Sequence, residues 1–317
     1  MPATSGAGDH EIARAKVNLA LHVVGTRADG YRLIETLVVF ADFGDVLAAA
    51  AGAPRLELVV DGPFAGALEG AGGPDDNLAV RAGRALVAAV GKRHLAPLRL
   101  KLTKRLPVAA GLGGGSADAA AALRLLDRRW RLRLSPPRLA AIARGLGADV
   151  PMCLASRPLI ARGVGERIRA VALPRLPMVL ARPPVAVPTP AVFAALDARP
   201  RPGLPPLPAS RAPDDLVRWL EQTRNDLGDA AATVARGAGA AARALARDRE
   251  CLFARMSGSG AAAFGIFASG AAARRAAARL KAARPRWWVV PTVSGGSEAR
   301  GSRGPFVQSG PPREVAR

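Results

Sequence analysis

Residues 106–118 read Leu106-Pro107-Val108-Ala109-Ala110-Gly111-Leu112-Gly113-Gly114-Gly115-Ser116-Ala117-Asp118, and this stretch constrains the chain more than any other. Before it, Leu98, Leu100 and Leu102 alternate with Arg99, Lys101 and Thr103, the two-residue period of a β-strand. After it comes an Ala- and Leu-rich helical run, with Ser116 placed as its N-cap. Glycines let backbone N–H groups converge on one point, and a helix N-terminus adds partial positive charge. A strand, glycine loop and helix in that order are expected to hold phosphate. The loop is not of the Walker type, because no Gly-Lys-Ser/Thr follows the glycines. It is not a dinucleotide fingerprint either, since the final x-x-Gly is missing. The alternative is a flexible linker, but linkers seldom join a strand to a strongly helical segment.

The 317 residues, half of them hydrophobic, suffice for two domains with a substantial core. No apolar run is long enough to span a membrane, and the N-terminus lacks the basic-then-apolar order of a signal peptide. Cys153 and Cys251 lie far apart without metal-ligand spacing, which suits the reducing cytoplasm. The formal net charge is +21, and only five of the 46 basic residues are Lys. One reading is nucleic-acid binding. Against it, aromatics make up 4% of the chain and the Arg residues are dispersed, with no compact basic block. The milder reading is a basic surface that attracts a polyanionic small molecule.

Glu11–Val24 alternates as a strand, with Ala13, Ala15, Val17, Leu19 and Leu21 on one face and Arg14, Lys16 and Asn18 on the other. An Asp29-Gly30 turn leads to a second strand, Leu33–Phe40, and Arg55–Val60 alternates again. Asn77 is placed to cap a helix that Gly91 stops, and Ser135-Pro136 opens another helix ending near Gly145. Asp149-Val150-Pro151 opens a short one, and residues 159–168 read as extended. Beyond Pro174, Pro-rich segments precede an order of helix, helix, strand (252–256), strand (262–267), helix (271–283) and strand (287–290), expected to form a small α+β sandwich. Residues from Ser294 read as a disordered tail.

Several residues invite chemistry, each with a plainer alternative. Lys16 and Asn18 either face solvent or face the glycine loop. Asp149 is either a helix cap or a general base, and the two roles need not conflict, because a helix N-terminus favours the ionised carboxylate that a base needs. Gly258-Ser259-Gly260 is either a hairpin turn or a close backbone approach to a ligand. Tyr31 and Phe193 are either core or ligand platforms. His10, His22 and His94 form no metal set, and no Gly-x-Ser-x-Gly elbow surrounds Ser116.

The loop Pro107–Ala117 resembles the phosphate-binding motif of the galactokinase, homoserine kinase, mevalonate kinase and phosphomevalonate kinase (GHMP) superfamily. Within that group, residues 15–19 (Ala-Lys-Val-Asn-Leu), 25–31 (Gly-Thr-Arg-Ala-Asp-Gly-Tyr), 44–45 (Gly-Asp) and 147–151 (Gly-Ala-Asp-Val-Pro) resemble the 4-diphosphocytidyl-2-C-methyl-D-erythritol kinases. So do residues 161–166, 187–193, 225–227 and 256–260, all in family order. The resemblance implies ATP-dependent phosphorylation of the C2 hydroxyl of that cytidine diphosphate, in the non-mevalonate route to isoprenoid precursors. It implies catalytic roles for Lys16 and Asp149. ATP would be held by Pro107, Val108, Ala109, Ala110, Gly111, Leu112, Gly113, Gly114, Gly115, Ser116 and Ala117. The substrate would be met by Asn18, Tyr31, Arg32, Thr189 and Phe193, with Tyr31 and Phe193 stacking on cytosine.

Mg²⁺ is expected to arrive with ATP, with no protein carboxylate marked as its ligand. The implied fold is α+β and two-domain: a ribosomal-S5-like N-terminal domain (11–172) with a left-handed βαβ crossover, a ferredoxin-like C-terminal domain (173–293), and a basic tail (294–317). A monomer or weak homodimer is expected, with neither membrane nor nucleic acid as partner. Arg32 departs from the family, which commonly carries His there. The alternatives are a sister kinase of the homoserine or mevalonate type, which has no reason to carry Asp-Gly-Tyr, and a non-enzymatic nucleic-acid-binding protein.

Overall fold

A computed structural model describes residues 10–68, 74–91, 95–197, 199–210 and 212–295. Its strands divide between two sheets. The first starts as a hairpin, β1 (His10–Thr26) and β2 (Arg32–Ala51), closed by the expected Asp29-Gly30 turn. The second strand continues well past Phe40 because it serves three partners. It pairs with β1, with β5 (Leu159–Gly163) through its first half, and with β4 (Leu98–Thr103) through its second. A parallel partner of β4, β3 (Glu57–Asp61), is joined to it through α1 (Leu78–Val90). Asn77 caps that helix by accepting from the Ala79 N–H, and Gly91 ends it, as expected. Residues 159–168 do not form one extended run. The chain reverses after Arg162, where the Gly165 N–H donates to its carbonyl, and returns as β6 (Arg167–Ala170).

Helices α2 (Gly114–Arg129), α3 (Pro136–Leu146) and α4 (Val150–Ala155) pack with α1 against one face of this sheet. The row Ala119–Ala122 is wholly buried there, and such small side chains let α2 lie close to the strands.

The second sheet holds β7 (Pro177–Arg182), β8 (Cys251–Met256), β9 (Ala263–Phe267) and β10 (Trp288–Val293). Its order is β10-β7-β9-β8, antiparallel throughout. Counted from β7 that is 4-1-3-2, the ferredoxin-like order. Among the described residues, four helices rather than the expected two separate β7 from β8: α5 (Thr189–Ala194), α6 (Pro213–Glu221), α7 (Leu227–Val234) and α8 (Ala240–Ala246). The connection from β9 to β10 is α9 (Gly270–Ala283). The first strand, β7, was not anticipated. Met178 to Ala181 are all buried, so the strand has no polar face to alternate with.

A second core cluster joins Val17, Leu19, Leu37 and Val39 of the first sheet to Met178, Leu180 and Phe264 of the second. Strands β1 and β2 are therefore covered on both faces. This removes the solvated polar face considered for β1: Lys16 and Asn18 are both buried. Ser294, assigned to the tail from composition, is buried too. Its N–H donates to Leu176 O, and its hydroxyl accepts from the Leu176 N–H. The tail from residue 296 lies outside the described residues.

Candidate active site

The glycine loop meets three other pieces of chain. The Lys16 N–H of β1 donates to Leu112 O, and the Ala262 N–H donates to Ala110 O. Gly111, at φ +74°, lies so close to the 257–260 turn that a Cβ there would stand 2.3 Å from Ser257 O. Gly113, at φ +64°, opens α2, and a Cβ on it would meet Lys16 Cε at 3.1 Å. The left-handed glycine therefore takes the N-cap position expected for Ser116, which falls inside the first turn of the helix instead. The N–H groups of Gly114, Gly115 and Ser116 belong to that first turn, where no intrahelical acceptor exists. Free donors at a helix N-terminus suit an anion.

These residues line a cleft of about 930 Å³. Ala109, Ala110, Gly111, Gly113, Gly114, Gly115 and Ser116 form one wall; Lys16, Asn18, Asp149, Tyr31, Arg32, Thr189 and Phe193 also face it. Four expected loop residues do not reach it: Pro107, Val108, Leu112 and Ala117. Leu112 and Ala117 point into the core, where they hold the loop down.

Lys16 Nζ lies 2.8 Å from Asp149 Oδ2. Asp149 occupies the cap position of α4 but makes no side-chain capping bond, so its carboxylate is given to Lys16. The lysine side chain is 8% exposed and the aspartate 38%, which leaves the carboxylate open to the cleft. Asn18 Nδ2 donates to Thr36 Oγ1, and the Asn18 N–H donates to Ser257 Oγ, whose own proton goes to Gly111 O. Strand β1 and the loop are thereby tied through the 257–260 turn. Asn225 braces that turn by donating to both Met256 O and Gly258 O.

Tyr31, the only tyrosine of the chain and 63% exposed, also lines the cleft. Phe193 projects from α5, and Thr189 shares a hydrogen bond with Ser259 Oγ at 2.8 Å. Arg32 lines the cleft too, but its side chain is occupied. It donates to Thr26 Oγ1 and to Leu196 O, tying the β1–β2 turn to the segment just after α5.

Sequence reasoning missed a buried trio behind the loop. Lys104 Nζ sits between Asp45 and Asp118, 2.8 Å from Asp118 Oδ2. Asp45 Oδ1 accepts from the N–H groups of Arg105 and Leu106, where β4 runs into the loop. Asp45 was visible only as part of the Gly44-Asp45 motif, and nothing in the sequence linked it to Lys104 or Asp118. Burial pushes the Asp118 carboxyl up to about 7 despite the lysine beside it. Burial likewise pushes the Cys153 thiol up to about 12, so it is an inert core group. His22 is structural: Nε2 accepts from the Arg224 N–H, and burial holds its pKa down.

Residues 77–157 match the GHMP kinases N-terminal domain and residues 240–285 the GHMP kinases C-terminal domain. A 4-diphosphocytidyl-2-C-methyl-D-erythritol kinase of Rhizobium etli is 51% identical over 295 residues, covering 91% of this chain and 96% of its own. The chain belongs to the 4-diphosphocytidyl-2-C-methyl-D-erythritol kinase family. An enzyme of that name from Chelativorans sp. is 46% identical over 89% of this chain and 94% of its own. A crystal structure of 4-(cytidine 5'-diphospho)-2C-methyl-D-erythritol kinase superposes with a TM-score of 0.70 at 35% identity, covering 90% of this chain and 99% of that one. The mevalonate kinase of L. major, with a TM-score of 0.60 at 15% identity over 93% of this chain and 97% of its own, shares the fold.

Proposed function

We propose that this chain transfers the γ-phosphoryl group of ATP to the C2 hydroxyl of 4-diphosphocytidyl-2-C-methyl-D-erythritol, in the methylerythritol phosphate route to isoprenoid precursors. One observation carries the reading: the Lys16–Asp149 pair opens onto the same cleft as the first-turn amides of α2. Phosphoryl transfer needs positioning and charge stabilisation more than covalent work by the protein. The Gly114–Ser116 amides and the α2 N-terminus hold the β- and γ-phosphates. Asp149 accepts the proton of the attacking hydroxyl. Lys16 keeps that carboxylate oriented and offsets charge as the phosphoryl group moves. Tyr31 and Phe193 stack on the cytosine, with Thr189 beside them.

Mg²⁺ accompanies the triphosphate and neutralises part of its charge. The ion would be held through phosphate oxygens and water. The chain acts as a monomer or weak homodimer. We place the boundary between the two lobes at about residue 172, and the enzyme in the cytoplasm. No helix among the described residues is long and apolar enough to cross a membrane.

The test is a kinase assay with ATP and three competing acceptors: the cytidine diphosphate, homoserine and mevalonate. Phosphorylation of the first alone is expected. Preference for either of the others assigns the chain to a sister activity, and salt-dependent duplex binding without ATP turnover refutes the enzyme.

A further inference from the structure

We propose that Thr36 is a positioning residue that sets which way the Asn18 amide faces, and that the oxygen this leaves over receives a second hydroxyl of the polyol being phosphorylated. The inference rests on the proposed function and deepens it.

Thr36 stands on β2, wholly buried. Its Oγ1 lies 2.6 Å from Ala20 O and 2.8 Å from Asn18 Nδ2. A carbonyl has no proton to give, so the single hydroxyl proton of Thr36 is spent on Ala20 O. Toward Asn18 the hydroxyl can then only accept. That places the amide nitrogen against Thr36 and turns Oδ1 the other way. The backbone enforces the arrangement. The β1–β2 register shifts between Asn18 and Ala20, and the Asn18 N–H is pinned to Ser257 Oγ at 3.1 Å. Such bulges re-aim side chains beside functional sites.

Asn18 Oδ1 is buried and has no hydrogen-bond partner. It lies beside Gly258, 3.2 Å from where a Cβ on that glycine would stand, and both residues line the cleft. Buried polar atoms are nearly always paired, so an orphan in the wall of a cleft points to a ligand that supplies the partner. Oδ1 accepts and cannot donate, so it fits an O–H and disfavours a phosphate oxygen. The reacting hydroxyl gives its only proton to Asp149. The group that satisfies Asn18 is therefore another hydroxyl of the same acceptor. Reversed, the amide would aim its N–H groups at the cleft and attract phosphate oxygens instead. Thr36 thus makes this position selective for the alcohol over the nucleotide.

Steady-state kinetics of Thr36→Ser, Thr36→Val, Asn18→Ala and the Thr36→Val/Asn18→Ala double variant test this, with the cytidine substrate and ATP varied in turn. Thr36→Ser is expected within about threefold of the parent, and Thr36→Val roughly tenfold lower in kcat/KM for the acceptor with the ATP KM unchanged. The double variant should be no worse than Asn18→Ala, because Thr36 acts only through that amide. If Thr36→Val does not fold, Thr36→Ala carries the same expectation. A parent acting on an acceptor analogue that lacks the neighbouring hydroxyl should drop to the Asn18→Ala level, while Asn18→Ala itself treats both acceptors alike. Equal rates for the Ser and Val variants, additive losses in the double variant, or an ATP KM rising in step overturn the inference while the kinase assignment stands. No turnover by the parent chain overturns both.

Discussion

Replacing Asp118 with Asn tests the electrostatics behind the phosphate loop. Lys104, Asp45 and Asp118 have side chains 3%, 0% and 4% exposed. With both carboxyls ionised the trio would bury a net negative charge, which a low-dielectric interior resists. Asp45 has its oxygens engaged by Lys104 and by the two N–H groups of residues 105 and 106, whereas Asp118 Oδ1 has no partner. The proton therefore goes to Asp118, whose carboxyl burial lifts from 3.8 to about 7.

The sign follows from proton counts. Between those two values the native carboxyl holds a proton that the unfolded chain has released. Its contribution to stability is thus complete at acid pH and lost as the pH rises through about 7. From about pH 6 to about pH 8 the integrated loss is on the order of 1 kcal/mol. Asn keeps an oxygen for Lys104 and cannot titrate. Urea unfolding of parent and Asp118→Asn at those two pH values should show the variant gaining that amount on the parent as the pH rises. Identical pH dependence, or the parent gaining on the variant, would refute the placement of the proton.

Three further outcomes are expected. Asp149→Asn should lower kcat by about 10² to 10⁴ while leaving ATP affinity largely intact, as read by turnover and nucleotide titration; near-normal turnover removes Asp149 as the base. Tyr31→Ala should raise the KM of the cytidine substrate far more than that of ATP, in line with roughly 1–3 kcal/mol for a base stacked on an aromatic ring; equal shifts take Tyr31 out of the nucleobase site. Gly113→Ala should cost about 1–3 kcal/mol through its left-handed backbone and also lower turnover by crowding Lys16, measured by melting and by kcat. A variant as stable and active as the parent would mean the loop does not depend on that conformation.

Local signals served well wherever a residue's neighbours in sequence are also its neighbours in space. Asn77 and Gly91 bound α1 as read, and the strand, glycine loop and helix stand in the expected order. Lys16, Asn18, Tyr31, Thr189 and Phe193 were legible through resemblance, and all five reach the cleft. Pattern reading failed where burial erases it. The strand Pro177–Arg182 has no polar face, and β1 has no solvated one. It also misplaced Ser116, because an N-cap with a left-handed backbone suits glycine better than serine.

By itself the sequence determined the elements that chain-local physics can specify: the alternating strands, the capped helix and a glycine turn whose amides favour an anion. Tertiary structure alone decided which distant groups share those elements' space. Thr36 reads as an ordinary strand residue until Ala20 O claims its proton and orients Asn18. Lys104, one residue past the alternating strand, has no partner legible in the sequence until Asp45 and Asp118 close around it. The direction of a hydrogen bond and the protonation of a buried carboxyl depend on partners that only folding brings within about 3 Å of each other, and no one-dimensional pattern records them.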